Sequence, residues 1–205
     1  MDARDLKAGL ARWAEAMMAA KDELNELDGR LGDGDLGATL DKCARNVEAG
    51  LAGMPDSLEQ VFRSSAQACA RASGSSFGTL LAVAFLDAAR RAAPLRALEV
   101  ADVAELLSGT VQALSSRGGA SLGDKTMLDS IQAIADALRG LDDEGRAARA
   151  ACAAAARALD EFREKPSRTG RARMFSEKSV GMDDPGMVAI LRMAESLPAS
   201  GGATC

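Results

Sequence analysis

The sequence predicts an all-α chain: an eight-helix antiparallel up-and-down bundle or closed barrel. Three observations carry this. Ala, Leu and Arg are abundant among the 205 residues, aromatics make up only 3%, and these three types favour helix, as do the Glu and Met residues among them. Apolar residues recur every three or four positions along most of the chain. No stretch alternates as a strand does, and short polar or Gly/Pro breaks separate the periodic segments, as antiparallel neighbours require. No linker is long or polar enough to divide residues 1–205, which are expected to form one domain.

Each element has its own signal. Leu6, Leu10, Trp13, Met17, Leu24 and Leu27 place a first helix over about Ala3 to Leu27. Leu36, Leu40, Cys43, Val47 and Leu51 repeat the pattern in a second. Pro55 then stops the chain, and Ser57 with Gln60 forms a capping box that opens a third helix, reaching about Ala72. "SGSSFG" breaks that helix, and "TLLAVAFLDAARRAA" starts a fourth that Pro94 ends. Val100, Val103, Leu106, Leu107, Val111 and Leu114 mark a fifth, terminated by "RGGASLG". A sixth is expected over about Asp124 to Arg139, and an Ala-rich seventh over about Asp143 to Lys165. Pro166 to Met182 is the longest loop, and "DDPGMVAILRMAESL" closes the chain with an eighth helix.

Bulk properties narrow the function. With a formal net charge of -5 nothing argues for a basic nucleic-acid footprint, so a phosphate-bearing ligand has to be held locally by metal, backbone amides or a few Arg and Lys. No apolar run reaches the roughly 18 residues that span a bilayer. "MDARDLKAGLARW" lacks the basic-then-apolar layout of a signal peptide. The expectation is a cytoplasmic chain with no membrane partner. Cys43, Cys69, Cys152 and Cys205 form no CxxC pair and are expected to be reduced thiols.

The stretch "LDGRLGDGDLG", Leu27 to Gly37, sets Asp28, Asp33 and Asp35 among four glycines. Three carboxylates this close repel one another, and glycines add chain entropy that folding must overcome. A plain turn accounts for one aspartate or two, with Asp35 as N-cap of the next helix. A calcium-binding EF-hand fails, because counting from Asp33 puts Ala44 where a bidentate Glu is required. A magnesium site accounts for all three: Mg2+ takes oxygen ligands and joins carboxylates to substrate phosphates, while the amides opening the next helix face a phosphate.

"LNELDGRLGDGDLGATL" resembles the signature of the dihydroxyacetone kinase L subunit family, the nucleotide-binding half of that enzyme. "GDKTMLDSI" (Gly123 to Ile131) and "GRARMFSEKSVGMDDPG" (Gly170 to Gly186) resemble two further family stretches, in the right order. The resemblance implies an eight-helix antiparallel barrel with a nucleotide at one rim. It implies that Asp28, Asp33 and Asp35 hold two Mg2+ ions that bridge the phosphates of ATP or ADP. It brings Leu36, Gly37, Ala38 and Thr39 to the phosphates and nucleotide, and adds contacts from Phe77 and Gly78. It sets Gly118 and Met127 at the base, and completes the pocket with Arg171 and the Asp184-Pro185-Gly186 turn. Without it, Met127 reads as core, Asp124 and Lys125 as a capping or ion-pair device outside the site, and Arg168, Arg171 and Arg173 as a solvated loop.

Three positions depart from the family pattern. Leu36 and Met182 stand where His is usual, and Phe77 where a small Ser is common; the chain has no histidine at all. The family's K subunit binds the ketose covalently through a histidine, so this chain is expected to work with a separate K-type partner. The phosphoryl donor is either ATP or a phosphotransferase-system protein that recharges bound ADP, and a homodimer is left open. The competing readings are a non-catalytic nucleotide-binding or regulatory relic, and a purely structural helical bundle.

Overall fold

A computed structural model describes residues 1–72 and 76–198. Among these residues every regular element is helical: α1 (Ala3–Ala19), α2 (Lys21–Leu31), α3 (Leu36–Gly50), α4 (Leu58–Ala72), α5 (Ser76–Ala92), α6 (Val100–Gly118), α7 (Met127–Leu138), α8 (Glu144–Arg163) and α9 (Pro185–Glu195). Two 3-10 segments, Leu51–Gly53 and Arg171–Ser179, supplement them. From α3 on, each helix packs on the next, and α9 returns against α1 and α2 to close the ring. A bidentate pair seals the closure, with Arg192 Nε and Nη2 donating to Glu23 at 2.8 and 2.6 Å.

The helices start where local chemistry satisfies their first amides. Asp2 and Asp5 cap α1 reciprocally, as do Thr126 and Asp129 for α7. Gly119, at φ 72°, takes the left-handed turn that ends α6. Small side chains then let the helices close on one another. Ala14, Met17, Leu24, Leu40, Ala44, Val47 and Val61 are fully enclosed, and truncating such a leucine to Ala typically costs about 2–5 kcal/mol. Two apolar clusters result, one centred on α1, α3 and α4 and one on α6, α7 and α8. Phe77, at the start of α5, packs against both.

The expected first helix is two. α1 and α2 meet at Ala20, where α3 presses its Gly37 onto the Lys21 carbonyl so closely that a Cβ would collide with it. The sequence period runs unbroken through this bend, so only the tertiary contact reveals it. The fourth helix begins at Ser76, earlier than expected, so Phe77 and Gly78 lie in its first turn; Ser73 to Ser75 of the expected break lie outside the described residues. The long loop carries a 3-10 segment of its own. No helix among the described residues is long and apolar enough to cross a membrane. Cys43 and Cys69 are free and buried, as expected. Cys152 is in a disulfide; the lack of a CxxC pair speaks only to near neighbours in sequence. Cys205 lies outside the described residues.

Candidate functional site

Asp28 sits in the last turn of α2, Asp33 in the connection and Asp35 directly before α3. Each offers a carboxylate oxygen, and the three oxygens lie within 4.8 Å of one another. Asp28 is half-buried, and the other two are exposed. The glycines make this possible. Gly34 adopts φ +73°, and a Cβ on Gly32 would stand 2.7 Å from Asp28 Oδ1. Asp28 Oδ2 in turn accepts the Asp35 N–H at 3.0 Å, which locks the connection around the cluster.

Asp35 occupies the N-cap position of α3 but makes no capping bond with its side chain, contrary to the turn reading. Asn25 supplies the cap from α2, its Oδ1 accepting the Ala38 N–H at 2.9 Å. The Asp35 carboxylate therefore stays with the other two. Arg30, the nearest basic residue in sequence, is paired with Glu26 at 2.5 Å. A concentration of negative charge held by backbone geometry fits a hard divalent cation, whose charge offsets the repulsion. Without imidazole or thiolate in the set, the donors fit Mg2+ and not the nitrogen and sulfur preferences of zinc.

The cluster opens onto a cleft of about 990 Å³ at one rim of the ring. Leu31 and Leu36 flank the aspartates on one side of it. Phe77 and Leu80 of α5, Gly118 at the end of α6, and Met127 at the start of α7 form an apolar wall. Gly186 completes that wall: a Cβ there would lie 3.5 Å from Phe77 Cε2 and 3.7 Å from Met127 Cβ, so glycine keeps the surface flat. Arg117, Thr169, Gly170 and Arg173 line the polar part, together with Asp184 and Pro185.

Asp184 caps α9, its Oδ1 accepting the Met187 N–H at 2.9 Å, with Pro185 in the first turn. Burial pushes its carboxyl up to about 6, against the pull of the Met187 N–H and the Lys125 ammonium.

The cleft thus gathers Asp28, Asp33, Asp35, Leu36, Phe77, Gly118, Met127, Asp184, Pro185 and Gly186 from five separate stretches of the chain. Gly37, Ala38, Thr39 and Gly78 stand behind it. Gly37 and Thr39 are buried, Gly78 is buried in α5, and Ala38 gives its N–H to Asn25. The Arg171 side chain lies outside the described residues. Sequence reasoning missed Thr169 and Arg117 in the lining, and read Arg173 as solvated; Arg117 carried one signal, its place directly before the helix-ending Gly118-Gly119 pair.

Comparison with known proteins agrees with this picture. The profile of the DAK2 domain family matches residues 30–199. The chain is 28% identical over 200 residues to an L-erythrulose 1-kinase of Mycolicibacterium smegmatis, covering 95% of this chain and 35% of that enzyme. It is 29% identical over 196 residues to the ADP-binding subunit DhaL of the PTS-dependent dihydroxyacetone kinase of Lactococcus lactis, covering 92% of both. Its fold superposes on the dihydroxyacetone kinase of C. freundii in complex with AMP-PNP and Mg2+ with a TM-score of 0.75 at 25% identity, covering 93% of this chain and 33% of that one. The chain therefore spans about a third of the mycobacterial and C. freundii enzymes and nearly all of the lactococcal subunit.

Proposed function

This chain belongs to the DAK2 domain family, and from that premise we propose that it is the nucleotide-binding subunit of a dihydroxyacetone-type kinase. One observation carries the reading: three carboxylate oxygens within 4.8 Å of one another, at the edge of a cleft of about 990 Å³, a volume suited to a nucleotide. Asp28, Asp33 and Asp35 hold Mg2+, two ions in this reading. Bound there, the metal neutralises charge that builds on the β- and γ-phosphate oxygens during transfer. The start of α3 turns its dipole toward the phosphates at Leu36, while Gly37, Ala38 and Thr39 stand behind it, with the Ala38 and Thr39 amides taken by Asn25 and the Asp35 carbonyl. Arg117 and Arg173 of the lining add positive charge to an otherwise acidic protein. Phe77, Gly118, Met127 and Gly186 receive the base, and Gly78 and the Asp184-Pro185 turn hold these elements in place.

The chain orients the donor and leaves the acceptor to another protein. With no histidine in its sequence it offers no covalent anchor of the K type, so the ketose is held by a separate K-type subunit. Exposed apolar side chains support a partner at this rim: Met174 in the cleft lining is 74% exposed, and Leu122 in the loop before α7 is 53% exposed. We place the pair in the cytoplasm, with residues 1–205 acting as one domain. The donor is either ATP or ADP recharged by a phosphotransferase-system protein, and steady-state transfer with ATP alone separates the two. The reading itself is tested by calorimetry of the purified chain with ADP. Binding that requires Mg2+ supports it, and absence of heat with and without Mg2+ overturns it.

A further inference from the structure

Among the described residues Lys125 is the one lysine that is completely buried, at 1% exposure, and it makes no ion pair with a carboxylate of theirs. Its Nζ donates instead to three backbone carbonyls: Arg163 at 2.9 Å, Lys165 at 2.8 Å and Ser179 at 2.7 Å. All three ammonium protons are thereby used. The acceptors come from both arms of the strap that joins α8 to α9. The arms are pinched by further bonds, from Gly181 N–H to the Arg163 carbonyl at 2.9 Å and from Ser167 N–H to Ser179 Oγ at 2.8 Å. Thr169, Gly170, Ala172, Arg173 and Met174, in the crown of this strap, line the cleft.

Two further facts point the same way. Lys125 is the only non-glycine residue with positive φ among the described residues, at 63°, a conformation that a side-chain-bearing residue adopts at a cost. The two residues that follow it, Thr126 and Met127, begin α7 and line the same cleft. Its neighbour Asp124 holds the strap from outside, accepting the Thr169 hydroxyl at 3.1 Å and, at its carbonyl, the Arg168 N–H at 3.1 Å. Burial works against the ammonium, while Asp184, Asp183 and Glu164 favour it.

We propose that Lys125 is a positioning residue: its ammonium gathers both arms of the 164–184 strap against the start of α7 and so sets the spacing of two walls of the cleft. Its consequence for nucleotide binding rests on the function proposed above; its effect on the strap does not. Removing the ammonium widens the cleft without disturbing the aspartate cluster, which is carried by α2 and α3.

Lys125→Met keeps an unbranched side chain of similar length and deletes the donor. Hydrogen exchange on the ligand-free variant is expected to quicken at least tenfold at Ser167 and Gly181, and to stay unchanged in α1 and α4. Affinity for Mg-ADP is expected to fall at least tenfold, and affinity for Mn2+ alone, followed by its paramagnetic resonance signal, to stay within twofold. Lys125→Gln, which keeps two N–H donors, is expected to fall between wild type and Lys125→Met. Unchanged exchange in the strap overturns the proposal, as does a loosened strap with wild-type Mg-ADP affinity. Loss of the whole fold in both variants also overturns it, because the ammonium then supports the ring and not the strap. If the wild-type chain binds no Mg-ADP, the proposed function fails, and the exchange experiment alone decides the role of Lys125.

Discussion

Asn25 reaches from α2 to accept the Ala38 N–H at 2.9 Å, capping α3 in place of the aspartate that stands at its N-cap. The division of labour is chemical. A neutral amide satisfies the helix, and the charged carboxylate of Asp35 joins its two neighbours. Asn25→Ala is expected to lower stability by about 1 kcal/mol, the usual worth of a cap, as read by urea denaturation. It also lets Asp35 turn back onto α3, so Mn2+ affinity is expected to weaken several-fold.

Gly37 has no room for a side chain, because a Cβ there would collide with the Lys21 carbonyl. Backbone cannot move aside as a flexible side chain can. Gly37→Ala is therefore expected to destabilise by about 3 kcal/mol, the upper range for overpacking, or to prevent folding. Gly53→Ala, with nothing within 4 Å of the added carbon, serves as the comparison and is expected to change the urea midpoint little.

Phe77 joins the two apolar clusters and forms the cleft wall with Met127 and Gly186. Phe77→Ala is expected to weaken ADP binding about tenfold, roughly 1.4 kcal/mol, through loss of an aromatic platform. Mn2+ binding to the aspartates is expected to be unaffected. Calorimetry with each ligand separates the two effects.

Burial lifts the Asp184 carboxyl to about 6, above its unfolded value near about 4. The folded chain thus keeps this proton longer than the unfolded one. The stability so gained is complete below about pH 4 and is lost as pH rises through about 6. Asp184→Asn retains a capping oxygen and carries no charge. The difference in unfolding free energy between wild type and this variant is expected to shift in favour of the variant from pH 4 to pH 7. Urea denaturation across that range measures it.

How much of this was legible in the sequence depended on whether the partners lie close along the chain. The helices were, because their periodicity is local; the bend at Ala20 was not, because the close contact made beside it is with Gly37 of another helix. The aspartate cluster was legible because Asp28, Asp33 and Asp35 fall within eight residues of one another, between glycines that only a tight connection needs. Asn25 lies 13 residues from the amide it caps, and Lys125 lies 38, 40 and 54 residues from the carbonyls it holds. Nothing in a single sequence marks such pairs. Lys125 therefore read as a local ion-pair device, and the strap it secures read as an irregular loop.

We infer that Asp28, Asp33 and Asp35 bind divalent metal, and through it a nucleotide. Calorimetric titration of Mg-ADP into Asp28→Asn, Asp33→Asn and Asp35→Asn tests it most directly, with circular dichroism to confirm the fold. Each variant is expected to keep its helices and to lose about a hundredfold in affinity, roughly 2.7 kcal/mol. Wild-type affinity in all three folded variants would show that the nucleotide is held without metal on these aspartates.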